Sequence, residues 1–139
     1  MLPEFEFHHI GVAVCNIDAT AQIYAKAGYS RSQTVFDPLQ KVRVCWLTRD
    51  GSPTIELLEP VDDNSPISAT LKKNGVTPYH LCYAVPDLDA ATAALRAIHY
   101  AMVARPQPAV AIGGSRVAFF FHKDTGLIEL VEPPALIVT

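Results

Sequence analysis

The sequence predicts an α+β fold made of two similar βαβββ modules. Three observations predict it. The phrase His9-Ile-Gly-Val-Ala-Val14, with Asp18-Ala19 after it, returns 71 residues later as His80-Leu-Cys-Tyr-Ala-Val85 with Asp89-Ala90 after it. The phrase Ile55-Glu-Leu-Leu-Glu-Pro60 returns 73 residues later as Ile128-Glu-Leu-Val-Glu-Pro133. Between the two phrases, each half runs through the same order of alternating, helical and turn-bounded patterns. Two long copies are too few for a solenoid, so the repeat marks two modules, each opening on a His strand and closing on a Glu strand.

The first module takes residues 5–60. Over 5–14, period-two alternation sends His8, Ile10, Val12 and Val14 one way and His9, Gly11 and Ala13 the other. The first face is bulky and suits packing under helices. The second is small around one imidazole and suits a cavity floor. Asn16 or Asp18 can cap a helix over about 18–27, with Ile17, Ala21, Tyr24 and Ala25 as its stripe and Gly28 as its stop. Residues 29–36 read as extended, and Asp37-Pro38 as a turn. Val42 to Thr48 is a strand with Val42, Val44 and Trp46 on one face and Arg43, Cys45 and Leu47 on the other. Asp50-Gly51 is a hairpin signal, and Thr54 to Glu59 the return strand.

A linker over 61–77 holds a short helix, started by Ser65-Pro66 and ended by Asn74-Gly75. The second module spans about 78–133. Tyr79 to Val85 is a strand with His80, Cys82 and Ala84 on one face. Asp87 or Asp89 opens an Ala-rich helix to about Ile98. Pro106 and Pro108 mark a loop, and Gly113-Gly114 leads into a strand from Arg116 to His122. Lys123 to Gly126 is a turn, and Leu127 to Glu132 returns. The tail over 134–139 is apolar and is expected to pack on the body or on a partner. The expected organisation is one domain over 1–139.

Composition narrows the function. Half of the 139 residues are apolar and 18% are charged, which excludes a disordered chain. A net charge of −3 leaves no basic footprint for nucleic acid. The N-terminus lacks a signal-peptide pattern and no run is long enough for a membrane helix. Three cysteines without a CxxC suit reduced thiols in the cytoplasm.

His9, Glu56, His80 and Glu129 hold equivalent places in the repeat. A single strand His is ordinarily a core or surface residue, but a Glu within an apolar strand needs a partner. If the modules pair about a pseudo-twofold axis, the four converge. Two imidazoles and two carboxylates suit Mn, Fe, Co, Ni or Zn and leave two positions of an octahedral shell for water or a substrate oxygen.

Those residues carry a resemblance to the vicinal oxygen chelate superfamily, which includes glyoxalase I, methylmalonyl-CoA epimerase, ring-cleaving dioxygenases and drug-sequestering proteins. It covers Phe7 to Glu132. The resemblance implies paired βαβββ modules, each an open barrel, with one divalent metal between them, held by His9, Glu56, His80 and Glu129. The nearest branch resembles methylmalonyl-CoA epimerase, through Ile55-Glu-Leu-Leu-Glu-Pro60, Ser65-Pro-Ile67, Leu71-Lys-Lys-Asn-Gly75 and Val85-Pro-Asp-Leu-Asp89. It implies a small-molecule, acyl-CoA-type substrate, a homodimer, and Glu129 as both ligand and catalytic base. This chain departs at two places. Tyr79-His80 replaces the usual His-His, and Leu39 stands near the usual second catalytic Glu, leaving Asp37 as the nearest carboxylate and second catalytic candidate.

The expected activity is metal-dependent proton abstraction next to a carbonyl, giving epimerisation. The alternatives are a glyoxalase-I-like lyase, favoured by Glu at 56, and a non-enzymatic small-molecule-binding protein. Arg43, Arg116, Gly113 and Gly114 are candidate substrate-binding residues. Against them, charged strand residues usually face solvent and a Gly pair is explained by turn geometry. His8, His99 and His122 receive no role.

Overall fold

The computed structural model describes residues 2–139; Met1, part of the expected domain span, lies outside them. The elements run β1 (Glu6–Ala13), α1 (Ile17–Ala25), β2 (Ser30–Arg31), β3 (Val35–Asp37), β4 (Val42–Thr48), β5 (Ile55–Pro60), α2 (Ser68–Asn74), β6 (Thr77–Ala84), α3 (Leu88–Ala97), β7 (Ala101–Pro108), β8 (Arg116–His122) and β9 (Gly126–Val131). The nine strands form one open sheet in the order β2-β4-β5-β1-β6-β9-β8-β7, with β3 also on β4. The order reads as a mirror about the β1·β6 seam. Each His strand pairs in parallel with its own module's Glu strand, β1 with β5 and β6 with β9, and the two His strands pair antiparallel with each other. The modules therefore join within one chain.

Matched local signals build the matched halves. Asn16 Oδ1 accepts from Ala19 N at 2.9 Å and Asp87 Oδ1 from Ala90 N at 3.0 Å, so each helix is capped by the residue seven past its histidine. Asp18, the other capping candidate, instead pairs with Arg31 at 2.8 Å. Both helices end with a backward bond, Tyr29 N to Tyr24 O and Tyr100 N to Leu95 O. The left-handed residue this requires is Gly28 in module 1 (φ 87°) but His99 in module 2 (φ 74°).

The helices cover one face of the sheet. Val14, Ile17, Ala21, Cys45, Leu47 and Leu57 pack with Val12 beneath α1; Val85, Leu88, Leu95, Ala118, Phe120 and Leu130 pack beneath α3. Leu81, on the same face at the seam, is exposed. The opposite face carries Ala13, Val42, Val44, Trp46, Cys82 and Val117, closed partly by Ile67 just before α2, by Leu71 on it, and by Ala135 and Ile137 of the tail. The tail is pinned by Ala135 N to Ser115 Oγ at 2.9 Å and by Val138 N to Ala111 O at 2.9 Å.

Two differences from the sequence reading have physical reasons. The loop expected at Pro106 and Pro108 is strand β7. It lies at the sheet edge and pairs only with β8, with register shifts between Met102 and Gln107, and an edge strand accommodates residues that cannot donate. Helix α2 begins at Ser68, because Ser65 N and Ser68 N make i→i−3 turn bonds to Asp62 O and Ser65 O and the i→i−4 pattern starts with Leu71 N to Ile67 O.

Candidate metal centre and cavity

The four predicted ligand residues lie on the four central strands, β5, β1, β6 and β9. Register arranges them in two rows. Across β4, β5, β1 and β6 run Trp46, Glu56, Gly11 and His80. Across β8, β9, β6 and β1 run Phe119, Glu129, Cys82 and His9. Each row is aromatic, carboxylate, small residue, imidazole, and the pseudo-twofold axis passes between them. The small residue makes room for the site. A Cβ on Gly11 would lie 2.2 Å from His80 Cε1. Each imidazole meets an aromatic edge-on, His9 with Trp46 at 4.9 Å and His80 with Phe119 at 5.3 Å between centroids.

His9 Nε2 lies 3.2 Å from His80 Nε2, 3.2 Å from Glu56 Oε1 and 3.2 Å from Glu129 Oε1. His80 Nε2 lies 3.4 Å from Glu56 Oε1 and 3.1 Å from Glu129 Oε1. Ligand atoms about 2.1 Å from one ion stand about 3.0 Å apart at right angles and about 3.4 Å apart at tetrahedral angles. The observed spacings fall in that range, and all four side chains are buried. Among the described residues Glu129 Oε1 makes no hydrogen bond of good geometry, although both imidazole nitrogens stand near it. The mutual spacing and the donor set of two imidazoles and two carboxylates fit a divalent ion.

Without an ion the cluster is a buried group of two carboxylates and two imidazoles. Burial opposes the charged form of His80, but Glu129 and Glu56 outweigh it and lift its pKa to about 9. His9 is raised for the same reasons, burial opposed chiefly by Glu56. Burial pushes Glu129 and Glu56 upward, and the imidazoles more than reverse this, holding both below the usual carboxylate range. Desolvating four charges is a poor route to stability, so the arrangement points to ligand binding.

Two β-bulges, not foreseen from alternation, complete the centre. On β1 the pairing jumps between Phe7 and His9, leaving His8 as the extra residue; on β6 Tyr79 is extra between Pro78 and His80. Each bulge brings the residue before the quartet histidine round towards it. His8 Nδ1 lies 2.8 Å from His9 Nδ1, and His8 Nε2 lies 2.7 Å from the Ala135 carbonyl oxygen. Tyr79 instead borders a cavity of about 380 Å³, together with His80, Leu58, Ile67, Phe119 and Leu127. Burial, then the charge of Glu129, raises its phenol pKa. The doublets His8-His9 and Tyr79-His80 were the available sequence signal, but strict alternation sent the first member of each away. His8, His9 and Cys82 also cluster. Burial drives the Cys82 thiol well above its ordinary pKa, and its Sγ lies 3.9 Å from the Tyr83 carbonyl oxygen.

The remaining predicted residues stand elsewhere. Asp37 Oδ1 accepts from Leu39 N at 3.0 Å and Gln40 N at 3.1 Å, closing its own turn. Asp37, Gly113 and Gly114 line a separate pocket, which among the described residues shares only Leu39 with the cavity at His80. Arg43 pairs with Glu59 at 3.2 Å, and Arg116 pairs with Glu132 and approaches Asp89. They alternate with Val44 and Val117, which face the site side, so both arginines lie on the helix-covered face, away from the metal centre.

A profile of the glyoxalase/bleomycin resistance protein/dioxygenase superfamily matches residues 8–119. The chain is 31% identical over 131 residues to ethylmalonyl-CoA/methylmalonyl-CoA epimerase of Cereibacter sphaeroides, covering 90% of this chain and 96% of the relative. The crystal structure of methylmalonyl-CoA epimerase from Mycobacterium tuberculosis superposes with a TM-score of 0.82 at 32% identity, covering 92% of this chain and 87% of that one. A Streptomyces coelicolor methylmalonyl-CoA epimerase variant in complex with 2-nitronate-propionyl-CoA superposes with a TM-score of 0.80 at 31% identity, covering 96% and 98%.

Proposed function

The chain belongs to the glyoxalase/bleomycin resistance/dioxygenase superfamily, and from that membership we propose that it is a divalent-metal-dependent epimerase acting next to the carbonyl of an acyl-CoA thioester. The observation that carries the reading is the buried His9, Glu56, His80 and Glu129 quartet, whose His80 opens onto an apolar cavity of about 380 Å³. The epimerase relatives supply the substrate class.

An ion bound there would supply Lewis acidity at the carbonyl oxygen. His9, Glu56, His80 and Glu129 would hold it. Glu129, kept ionised at neutral pH despite its burial by the two imidazoles, is the base that takes the proton from the carbon beside the carbonyl. Leu58, Ile67, Phe119 and Leu127 wall the substituent of that carbon and exclude water. Asp37 lines a separate pocket and spends Oδ1 on its own turn. The second proton is therefore assigned to water or another group, not to Asp37. The same reading takes the protein as a homodimer, for which light scattering returns twice the 15.1 kDa chain mass.

The test incubates metal-loaded protein with methylmalonyl-CoA in heavy water. Deuterium entry coupled to racemisation is expected, abolished in Glu129→Gln and unchanged in Asp37→Asn. No exchange with metal bound would remove this substrate. Turnover of glutathione hemithioacetal instead would move the assignment to the lyase that Glu56 favours.

A further inference from the structure

One side chain outside the quartet reaches the centre through hydrogen bonds. His8 bridges the Ala135 carbonyl, 2.7 Å from Nε2, and His9 Nδ1, 2.8 Å from Nδ1. A carbonyl oxygen only accepts, so His8 Nε2 must carry a proton. If His9 binds an ion through Nε2, the proton of its neutral ring sits on Nδ1 and needs an acceptor. His8 Nδ1, left with its lone pair, is that acceptor. With His9 Nε2 on an ion, one proton arrangement satisfies both contacts: Ala135 O accepts from His8 Nε2–H, and His8 Nδ1 accepts from His9 Nδ1–H.

We propose that His8 is a positioning residue that fixes the Nδ1–H tautomer and ring orientation of His9, so that the His9 Nε2 lone pair faces the metal position. The proposal rests on the reading of the quartet as a metal site. Two further observations support it. The anchor is built: Ala135 takes a left-handed backbone (φ 55°), which a residue with a Cβ rarely adopts, and its N–H is held by Ser115 Oγ at 2.9 Å. And the device belongs to one histidine only. His80 Nδ1 is buried with no hydrogen-bond partner among the described residues, and Tyr79 stands where His8 stands in the first module. Partners of this kind typically account for about 10- to 100-fold in metal affinity.

The experiment titrates Co²⁺ into the purified full chain against a competing chelator, and records ring ¹⁵N spectra of the Zn²⁺-loaded protein. In the wild type, His9 should show Nδ1 protonated and Nε2 ligated, with His8 protonated on Nε2. His8→Phe, which keeps a ring against Trp46 but removes the acceptor, should weaken Co²⁺ binding by about 10- to 100-fold. His8→Asn, which restores an acceptor oxygen, should recover most of the loss. Equal affinity in His8→Phe, or His9 ligated through Nδ1 in the wild type, overturns the proposal while leaving the metal site standing. A wild type that binds no Co²⁺ or Zn²⁺ overturns both. The ¹⁵N spectra decide the matter even where His8→Phe fails to fold.

Discussion

The two modules set the same residue types on the same strands, yet one side of the axis is sealed and the other open. On the sealed side, Trp46 is 1% exposed, its indole Nε1 donates to Ala111 O at 3.0 Å, and the tail closes over His8. On the open side the equivalent aromatic is Phe119, and it borders the cavity with Tyr79. A symmetric ligand cage thus sits in an asymmetric pocket. On the proposed reading, the symmetry would serve coordination, which needs matched donors, and the asymmetry would serve substrate binding, which needs one door.

Substitutions at equivalent positions can break that comparison. The largest difference is expected between Trp46→Ala and Phe119→Ala. The first empties a sealed site and should cost about 3–5 kcal/mol in urea unfolding. The second lines an existing opening and should cost about half as much, with the larger effect on substrate KM. Equal losses would mean that the cavity is as tightly packed as its mirror image.

Next come the small residues of the two rows. Gly11→Ala drives a methyl into the His80 ring, so metal affinity should fall by about 100-fold or more, with about 1–3 kcal/mol lost from overpacking. Cys82→Ala removes one buried sulfur and should leave metal affinity within about threefold, since the thiol lies outside the quartet. Isothermal titration with Zn²⁺ separates the two.

A pH series sharpens the contrast between charge cage and metal cage. In the metal-free protein, His80 is raised from 6.5 to about 9. Its pairing therefore stabilises fully below about pH 6.5 and is lost as pH rises through about 9. Glu129 is depressed below 4.5, so its share is present above that value and is lost as pH falls. Metal-free stability should plateau between about pH 4.5 and 6.5. Metal affinity should climb with pH towards about 9, because each ion must displace imidazole protons. Thermal melts with and without Zn²⁺ read both trends, and a metal affinity flat from pH 6 to 8 would contradict them.

The smallest effects are expected at the outer ion pairs. Arg43→Ala and Arg116→Ala each cut a solvent-facing pair. They should leave metal affinity unchanged and stability within the scatter of a urea titration.

Much of this arrangement is readable in the sequence, and the failures share a cause. The repeat fixes which strands correspond, and the bounds of β4 and β8 follow directly from alternation and turn residues. The arginines could also have been placed. Alternation sets Arg43 opposite Trp46, and Trp46 shares a row with Glu56 once the strands are paired. The Asp37-Pro38 turn carried its own warning, since an Asp side chain at such a place commonly bonds backbone N–H groups just ahead of it. His8 was not legible. A bulge adds one residue without altering the pattern on either side, so the alternation rule passes smoothly over the position where the strand changes its aim. Strand β7 was hidden because prolines read as loop until the edge position is known.

The seam between β1 and β6 has a consequence for how the molecule comes to exist. β1 leaves the ribosome long before β6, and its parallel partner β5 satisfies only one of its edges. Until the second module is made, that free edge is a template for pairing with another chain. Closing it joins residues about seventy positions apart, a late and slow event for a folding chain. Neither half holds more than one histidine and one glutamate of the quartet. An ion that binds tightly therefore reports on the whole assembled sheet and discriminates against every half-built intermediate.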